Sequence, residues 1–295
     1  MLSRYAAVAQ TMGHMDPQAR EIVDYYTLRY REDLRLSAGR PQARLERQRT
    51  LEILRESLPP APARILDVGG ATGEYARALV ALGHRVRLLD LVPAHVAQAR
   101  AGHPGLDAEV ADARALPEDD DSYDATLLLG PLYHLPEHAD RCTALAEAVR
   151  VTRPGGTVFA AAISRFALPL DFAATGRLDD RTIERARTLL TDGRNDPVLG
   201  FTHAYFHRLE ELVDECLTAG LVNVTVEGVE GPAWLAAEAG AHGPTAEQLF
   251  TAALALARTY RDEPALVATS AHLLARATVP GDPSRTRPNQ PDLPV

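Results

Sequence analysis

With 295 residues, 46% of them hydrophobic and 24% charged, the chain can bury one large core or a core with a sizeable insertion. Its net charge of −9 argues against broad binding to a phosphate backbone, which requires a basic excess or stripe. Cys142 and Cys216 stand far apart, outside any CxxC or cysteine–histidine grouping, which argues against a disulfide framework or structural zinc and favours a reducing compartment. No apolar run approaches the roughly 20 residues that span a bilayer, and residues 1–10 are too weakly apolar for a signal peptide. A cytoplasmic protein is expected.

In chain order, residues 17–57 read as helical, opened by Pro17, broken at Gly39, Arg40 and Pro41, and ended before Pro59 and Pro60. The basic residues between Arg29 and Arg55 are interleaved with Glu32, Asp33, Glu46, Glu52 and Glu56, the pattern of a solvated helix face. Then the rhythm changes. Residues 64–68 (RILDV) form an apolar run, followed by a glycine-rich turn, a helix through Tyr75 to Leu82, and a second strand at 84–90. A helix at 93–101, a strand at 108–111, a doubly buried strand at 125–129 (ATLLL), a helix at 137–151, a turn at 153–156 (RPGG) and a strand at 157–163 continue the alternation. Strands and helices at this spacing predict an α/β fold with a doubly wound, mostly parallel sheet covered on both faces.

The rhythm lapses after Ile163. Residues 164–207, with one helix at 179–191, read as a lid insertion; helix 208–219, a strand near 221–228, a helix at 245–262 and a closing strand at 270–277 follow. The expected organisation is a helical cover at 1–57, an α/β core at 58–163, the lid at 164–207, a C-terminal part of the core at 208–279 with a helical insertion at 230–265, and a disordered tail at 280–295.

The strongest local signal is Leu66-Asp67-Val68-Gly69-Gly70-Ala71-Thr72-Gly73, between the first strand and its helix. Glycines there let the backbone approach a ligand at the carboxyl edge of the sheet. A phosphate-binding P-loop needs Lys and Ser or Thr after its last Gly, where Glu74 and Tyr75 stand; a dinucleotide G-x-G-x-x-G fails at Ala71 and Glu74. The stretch resembles the first motif of class I S-adenosylmethionine-dependent methyltransferases, with Asp67, Gly69 and Gly73 in place and Ala71 at the usual middle glycine. That alanine is expected to avoid positive φ. Further matches follow in the family's order: Asp90 ends the second strand, Asp112-Ala113 the third, Tyr123-Asp124 opens the fourth, Gly130 to Leu135 (GPLYHL) follows it, and Arg150 to Gly156 precedes the fifth.

The resemblance, which covers roughly residues 60–165, implies a Rossmann-like methyltransferase fold of seven strands and S-adenosyl-L-methionine as cofactor. It implies Tyr26, Asp67, Gly69, Gly70, Ala71, Gly73, Asp90, Leu91, Asp112, Ala113 and Leu129 as cofactor residues, Asp90 at the ribose hydroxyls and Asp112 at the adenine amino group. On the acceptor side the candidates are Tyr133, His134, His203 and His207 for catalysis and Tyr133, Arg165, Tyr205 and Trp234 for substrate binding; no metal is expected. The five ring-bearing residues of Phe201 to Arg208 are equally consistent with core packing.

The activity implied is in-line displacement of the cofactor's methyl group onto an O, N or C atom of a small molecule, as in secondary-metabolite or quinone-biosynthesis methyltransferases. Neither nucleic acid nor membrane is expected as partner, and a homodimer is compatible with the sequence. Two other readings stay open: a protein of the same fold and cofactor that catalyses a non-methylating reaction, and a non-catalytic nucleotide-binding module.

Overall fold

The computed structural model describes residues 17–29, 40–195, 197 and 201–281. Most of the expected tail, the first sixteen residues and the break at Gly39 lie outside the described residues. The chain opens with α1 (Pro17–Leu28), α2 (Pro41–Ser57), β1 (Arg64–Val68), α3 (Glu74–Ala81), β2 (Arg85–Asp90), α4 (Pro93–Gly102), β3 (Asp107–Val110) and β4 (Tyr123–Leu128). A 3-10 turn (Pro131–His134), α5 (His138–Val151) and β5 (Thr152–Ser164) complete the first half. Next come α6 (Ala167–Ala174), α7 (Asp180–Asp192), β6 (Arg194–Asn195), β7 (Ala204–His207) and α8 (Leu209–Thr218). The last elements are β8 (Val222–Gly228), α9 (Trp234–Ala239), α10 (Ala246–Thr259), α11 (Pro264–Val267) and β9 (His272–Thr278).

The apolar runs become strands buried on both sides because successive side chains point to opposite faces. Leu66, Val68, Leu128, Val158 and Ala160 pack on one face with Ala144, Leu145 and Ala148 of α5 and Leu212 and Cys216 of α8. Ile65, Leu88, Leu127 and Phe159 pack on the other with Ile53 and Leu54 of α2, Leu79 of α3 and Val96 and Ala99 of α4. Each fully buried Leu or Ile contributes about 1.5–3 kcal/mol. A third cluster joins Leu45 of α2, Ala167 of α6, Trp234 of α9 and Phe250 and Leu254 of α10. No helix among the described residues is long and apolar enough to cross a membrane.

The parallel part of the sheet runs β3-β2-β1-β4-β5-β7. Beyond it β9 pairs antiparallel with β5 on one side and β8 on the other. Among the described residues the sheet therefore holds nine strands, where seven were expected. The two additions, β6 and β7, come from the segment expected to be lid: β7 pairs with Ile163 and Ser164 of β5, beyond the point where β4 ends at its Leu128–Ala160 pairing. Two local expectations also change. The Arg153-Pro154-Gly155-Gly156 turn is an irregularity within β5, where the register with β4 jumps between Tyr123–Thr152 and Ala125–Thr157. Residues 167–174 are helical, since Pro169 falls in the first turn, where its missing N–H goes unneeded.

Candidate active site

At the end of β1 the backbone turns sharply and is tied to the end of β2. Gly69 (φ +75°) and Gly70 both donate their N–H to Leu89 O, and Gly73 (φ +86°) donates to Gly70 O. A Cβ on Gly69 would lie 2.6 Å from Pro131 Cδ, and one on Gly70 2.7 Å from Asp67 Oδ2, so these two glycines are required by space. Ala71 overturns the expectation set for it: its φ is +48°, in the left-handed region. Its N–H donates to Asp90 Oδ2 at 2.8 Å, which holds it there against a steric cost of about 1–2 kcal/mol.

Asp90 is buried, and its Oδ1 accepts from the Val92 N–H at 2.8 Å and from His95 Nδ1 at 3.1 Å. Asp112 closes the same edge after β3; its carboxylate accepts from the backbone and guanidinium of Arg114, which also pairs with Asp140. Beneath the turn, Asp67 is fully buried, and neither of its oxygens has a hydrogen-bonding side chain or backbone partner of full geometry among the described residues. Burial, reinforced by the Asp90 charge, pushes its pKa up to about 7.

That shift has a sign. With a folded-state pKa above the ordinary 3.8, Asp67 favours folding when protonated, a contribution complete below about pH 4 and lost as pH rises through about 7. Asp67→Asn should therefore gain stability over the parent as pH increases from 4 to 8, with an upper limit of about 4 kcal/mol. Urea unfolding of both proteins at the two pH values measures this; a difference independent of pH would refute the assignment.

The turn, Asp90 and Asp112 open onto one cleft of about 1100 Å³ at the carboxyl edge of the sheet. Tyr26, Gly69, Gly70, Ala71, Asp90, Leu91, Asp112, Ala113, Leu129, Tyr133 and His134 all line it, while Asp67 and Gly73 lie behind the lining. The opposite wall is the 3-10 turn after β4. There Tyr26 Oη and His134 Nε2 are 2.9 Å apart, and Gln18 Nε2 donates to His134 O, so α1 lies across the cleft and is fastened to that wall. Ile22, Glu46, Tyr75 and His95 also line the cleft, and none of them stands out in the sequence as a site residue. For His95 a signal was available: Pro93 starts a helix directly after Asp90, which puts position 95 in the first turn over the strand end.

The remaining acceptor candidates lie outside the lining of this cleft. His207 is fully buried, its Nε2 3.2 Å from Glu215 Oε2, and burial holds its pKa below the ordinary histidine range. Arg165 is buried and donates to Phe206 O, Tyr205 Oη and Glu211 Oε2. The Tyr205 ring lies under the Arg141 guanidinium at 3.7 Å, and Trp234 is a core residue whose Nε1 donates to Thr269 O. His203 is half exposed beside Glu21, 3.4 Å away, in a separate groove with Pro17 and Arg194. Arg165, Tyr205, Trp234 and His203 are held by partners distant in sequence, and His207 by Glu215 on the helix that follows it, pairings that local pattern does not reveal. Among the described residues one group, Glu46, Glu230 and His272, brings potential metal-ligand atoms within 4.8 Å of one another. Both Glu230 oxygens already accept hydrogen bonds, from Ser270, Gln42 and His272, so the group serves as a buried tie between α2 and β9.

A methyltransferase-domain family model matches residues 65–156. An uncharacterized methyltransferase of Mycobacterium tuberculosis is 36% identical over 129 residues, 43% of this chain and 51% of that protein. The malonyl-[acyl-carrier protein] O-methyltransferase of Methylococcus capsulatus is 38% identical over 104 residues, 34% of this chain and 37% of that protein. Residues 65–156 thus resemble a methyltransferase domain in both comparisons. The crystal structure of an S-adenosylmethionine-dependent methyltransferase from Thermotoga maritima shares the fold well beyond that segment, with a TM-score of 0.55 at 17% identity over 88% of this chain and 99% of that one. The chain spans about half the length, or less, of the curated relatives it matches. The matched segment ends within β5, so α6 to β9 and the helices α1 and α2 lie outside it.

Proposed function

We propose that the protein transfers the methyl group of S-adenosylmethionine to an O, N or C atom of a small organic molecule. The observation that carries this reading is the convergence of the glycine turn, Asp90 and Asp112 on a single cleft. The residues present suit the cofactor. The turn at Gly69 and Gly70 leaves no room for a side chain, and Asp90 Oδ2 accepts only one hydrogen bond from the described residues. Glu46, Glu74, Asp90 and Asp112 line the cleft, with Glu74 paired to Arg47 and Arg77 and Asp112 to Arg114 just behind the lining. Bound there, S-adenosylmethionine supplies a sulfonium methyl that is already electrophilic.

The chain's own task is to hold the acceptor in line and exclude water, effects that together reach about 7–11 kcal/mol for well-oriented reactants. The α1 helix, fastened through Tyr26 to His134, roofs the cleft for that purpose. A hydroxyl acceptor must also lose its proton as the new bond to carbon forms. His134 is the residue we assign to receive it; a neutral amine reacts through its lone pair. The Methylococcus capsulatus relative, named for O-methylation of a malonyl group, supports an oxygen acceptor as one member of the class.

The test is incubation with methyl-labelled cofactor and panels of small phenols, carboxylates and amines, reading S-adenosylhomocysteine and labelled product together. His134→Ala also loosens the α1 roof for every acceptor, so it should slow an amine too, and a hydroxyl acceptor by about a further hundredfold or more. Equal slowing of both would remove the base role, and conversion of an acceptor with neither S-adenosylhomocysteine nor labelled product formed would favour the non-methylating alternative.

A further inference from the structure

A second cavity, of about 1550 Å³, opens at the amino edge of the sheet, where β1 and β2 begin, opposite the edge that carries the cleft. Arg64, Arg77, Arg85 and Arg87 line it, with Asp107 and Glu118 as the acids of the lining. That is a basic concentration on a chain whose net charge is −9. Two of the four arginines are neutralised: Arg77 pairs with Glu74, and Arg87 with Asp107, Glu109 and Glu118. Arg64 and Arg85 are exposed and form no ion pair among the described residues.

These two stand side by side. Arg64 opens β1, Arg85 opens β2, and they are register partners in the parallel pairing. That sets their backbones about 4.8 Å apart with both side chains on one face of the sheet. Like charges so placed repel. Asp124 on β4 offers Arg64 a charge but no ion pair, because its Oδ2 accepts the Arg64 N–H and its Oδ1 accepts from Arg153 Nε. The Arg64 guanidinium lies instead 5.4 Å from the Tyr123 ring centroid, on the cavity wall. Two neighbouring guanidiniums without carboxylates match the spread oxygens of a phosphate, which accepts from several arginine N–H groups at once. Val80, Val86 and Leu106 give the same cavity an apolar wall for the rest of a phosphate ester. We propose that this cavity is a phosphate-binding site, in which Arg64 and Arg85 grip the phosphate of a small molecule. The site is independent of the cofactor reading, since an S-adenosyl group carries no phosphate.

The test is calorimetric titration of the full chain with inorganic phosphate and with phenyl phosphate at constant ionic strength. The parent should show one saturable site. Arg64→Gln and Arg85→Gln should each weaken it by about tenfold or more, and the double variant should abolish it. Arg85→Lys, which keeps the charge without the planar fork, should lose only part of the affinity. Arg187→Gln, which removes an exposed arginine of α7 paired with Glu184, should bind as the parent does. Tighter binding of phenyl phosphate than of phosphate identifies the ligand as a phosphate ester seated on the apolar wall; equal binding identifies it as free phosphate. Absence of saturable binding by either probe overturns the proposal, as does binding that survives in the double variant. Should a glutamine variant fail to fold, Arg85→Lys decides, and parental affinity in it overturns the assignment of Arg85.

Discussion

Gly69→Val is expected to weaken S-adenosylhomocysteine binding by more than about a hundredfold, the equivalent of about 2.8 kcal/mol. Two effects combine. Valine must adopt φ near +75°, where β-branched residues are rarely found, and its Cβ would stand 2.6 Å from Pro131 Cδ and 3.4 Å from Gly130 Cα. Pro131 belongs to the opposite wall of the cleft, so relieving the clash pushes apart the two walls that must close on a ligand. Gly105→Ala is the matched comparison: Gly105 has φ +97°, and a Cβ there would meet nothing within 4 Å, so the variant carries strain of about 1–2 kcal/mol but should leave binding unchanged. Calorimetry on both variants, with thermal unfolding to register the stability change, settles the matter; near-parental affinity in Gly69→Val would contradict the assignment of the turn.

Arg141→Ala is expected to destabilise the fold by about 3–5 kcal/mol. Arg141 and Glu215 are each 2% exposed and paired at 2.7 Å, and Glu215 also accepts from His207 Nε2. Removing the guanidinium strands a buried carboxylate and frees the Leu135 and Pro136 carbonyls, to which Arg141 Nη1 donates. It also removes the cation stacked on Tyr205. Since Leu135 and Pro136 follow the turn that carries Tyr133 and His134, the same variant should loosen the cleft wall. The exposed Arg187–Glu184 pair, about 70% exposed on each side, offers the contrast: Arg187→Ala should change stability by less than about 0.5 kcal/mol. Urea unfolding distinguishes the two, and equal effects would show that burial is not what gives the Arg141 pair its weight.

The glycine turn, Asp90 and Asp112, which line the cleft, were legible because they sit where local pattern speaks. Asp90 and Asp112 follow short apolar runs, and a residue that ends a parallel strand necessarily faces the carboxyl edge. The acceptor side was not legible in the same way. Phe201 to Arg208 looked like a cluster of rings for a substrate, yet residues 204–207 form β7, and the fate of its side chains is set by Glu215 of α8 and Arg141 of α5. Such partners are visible only once the sheet is assembled. Trp234 is another case, being absorbed by a core drawn from α2, α6 and α10. Ala71 departs from expectation for a different reason: propensity alone keeps alanine out of the left-handed region, but the Asp90 carboxylate captures its N–H and outweighs that preference.

The placement of β9 bears on how the protein is made. It lies between β5 and β8, both of which are synthesised before it. A nascent chain leaving the ribosome therefore carries two unsealed strand edges until residue 278 has emerged, and a translation product cut short before residue 272 keeps them permanently. Edge-to-edge self-association is the characteristic fate of such fragments, and the interval of exposure is the one between the emergence of β5 and that of β9.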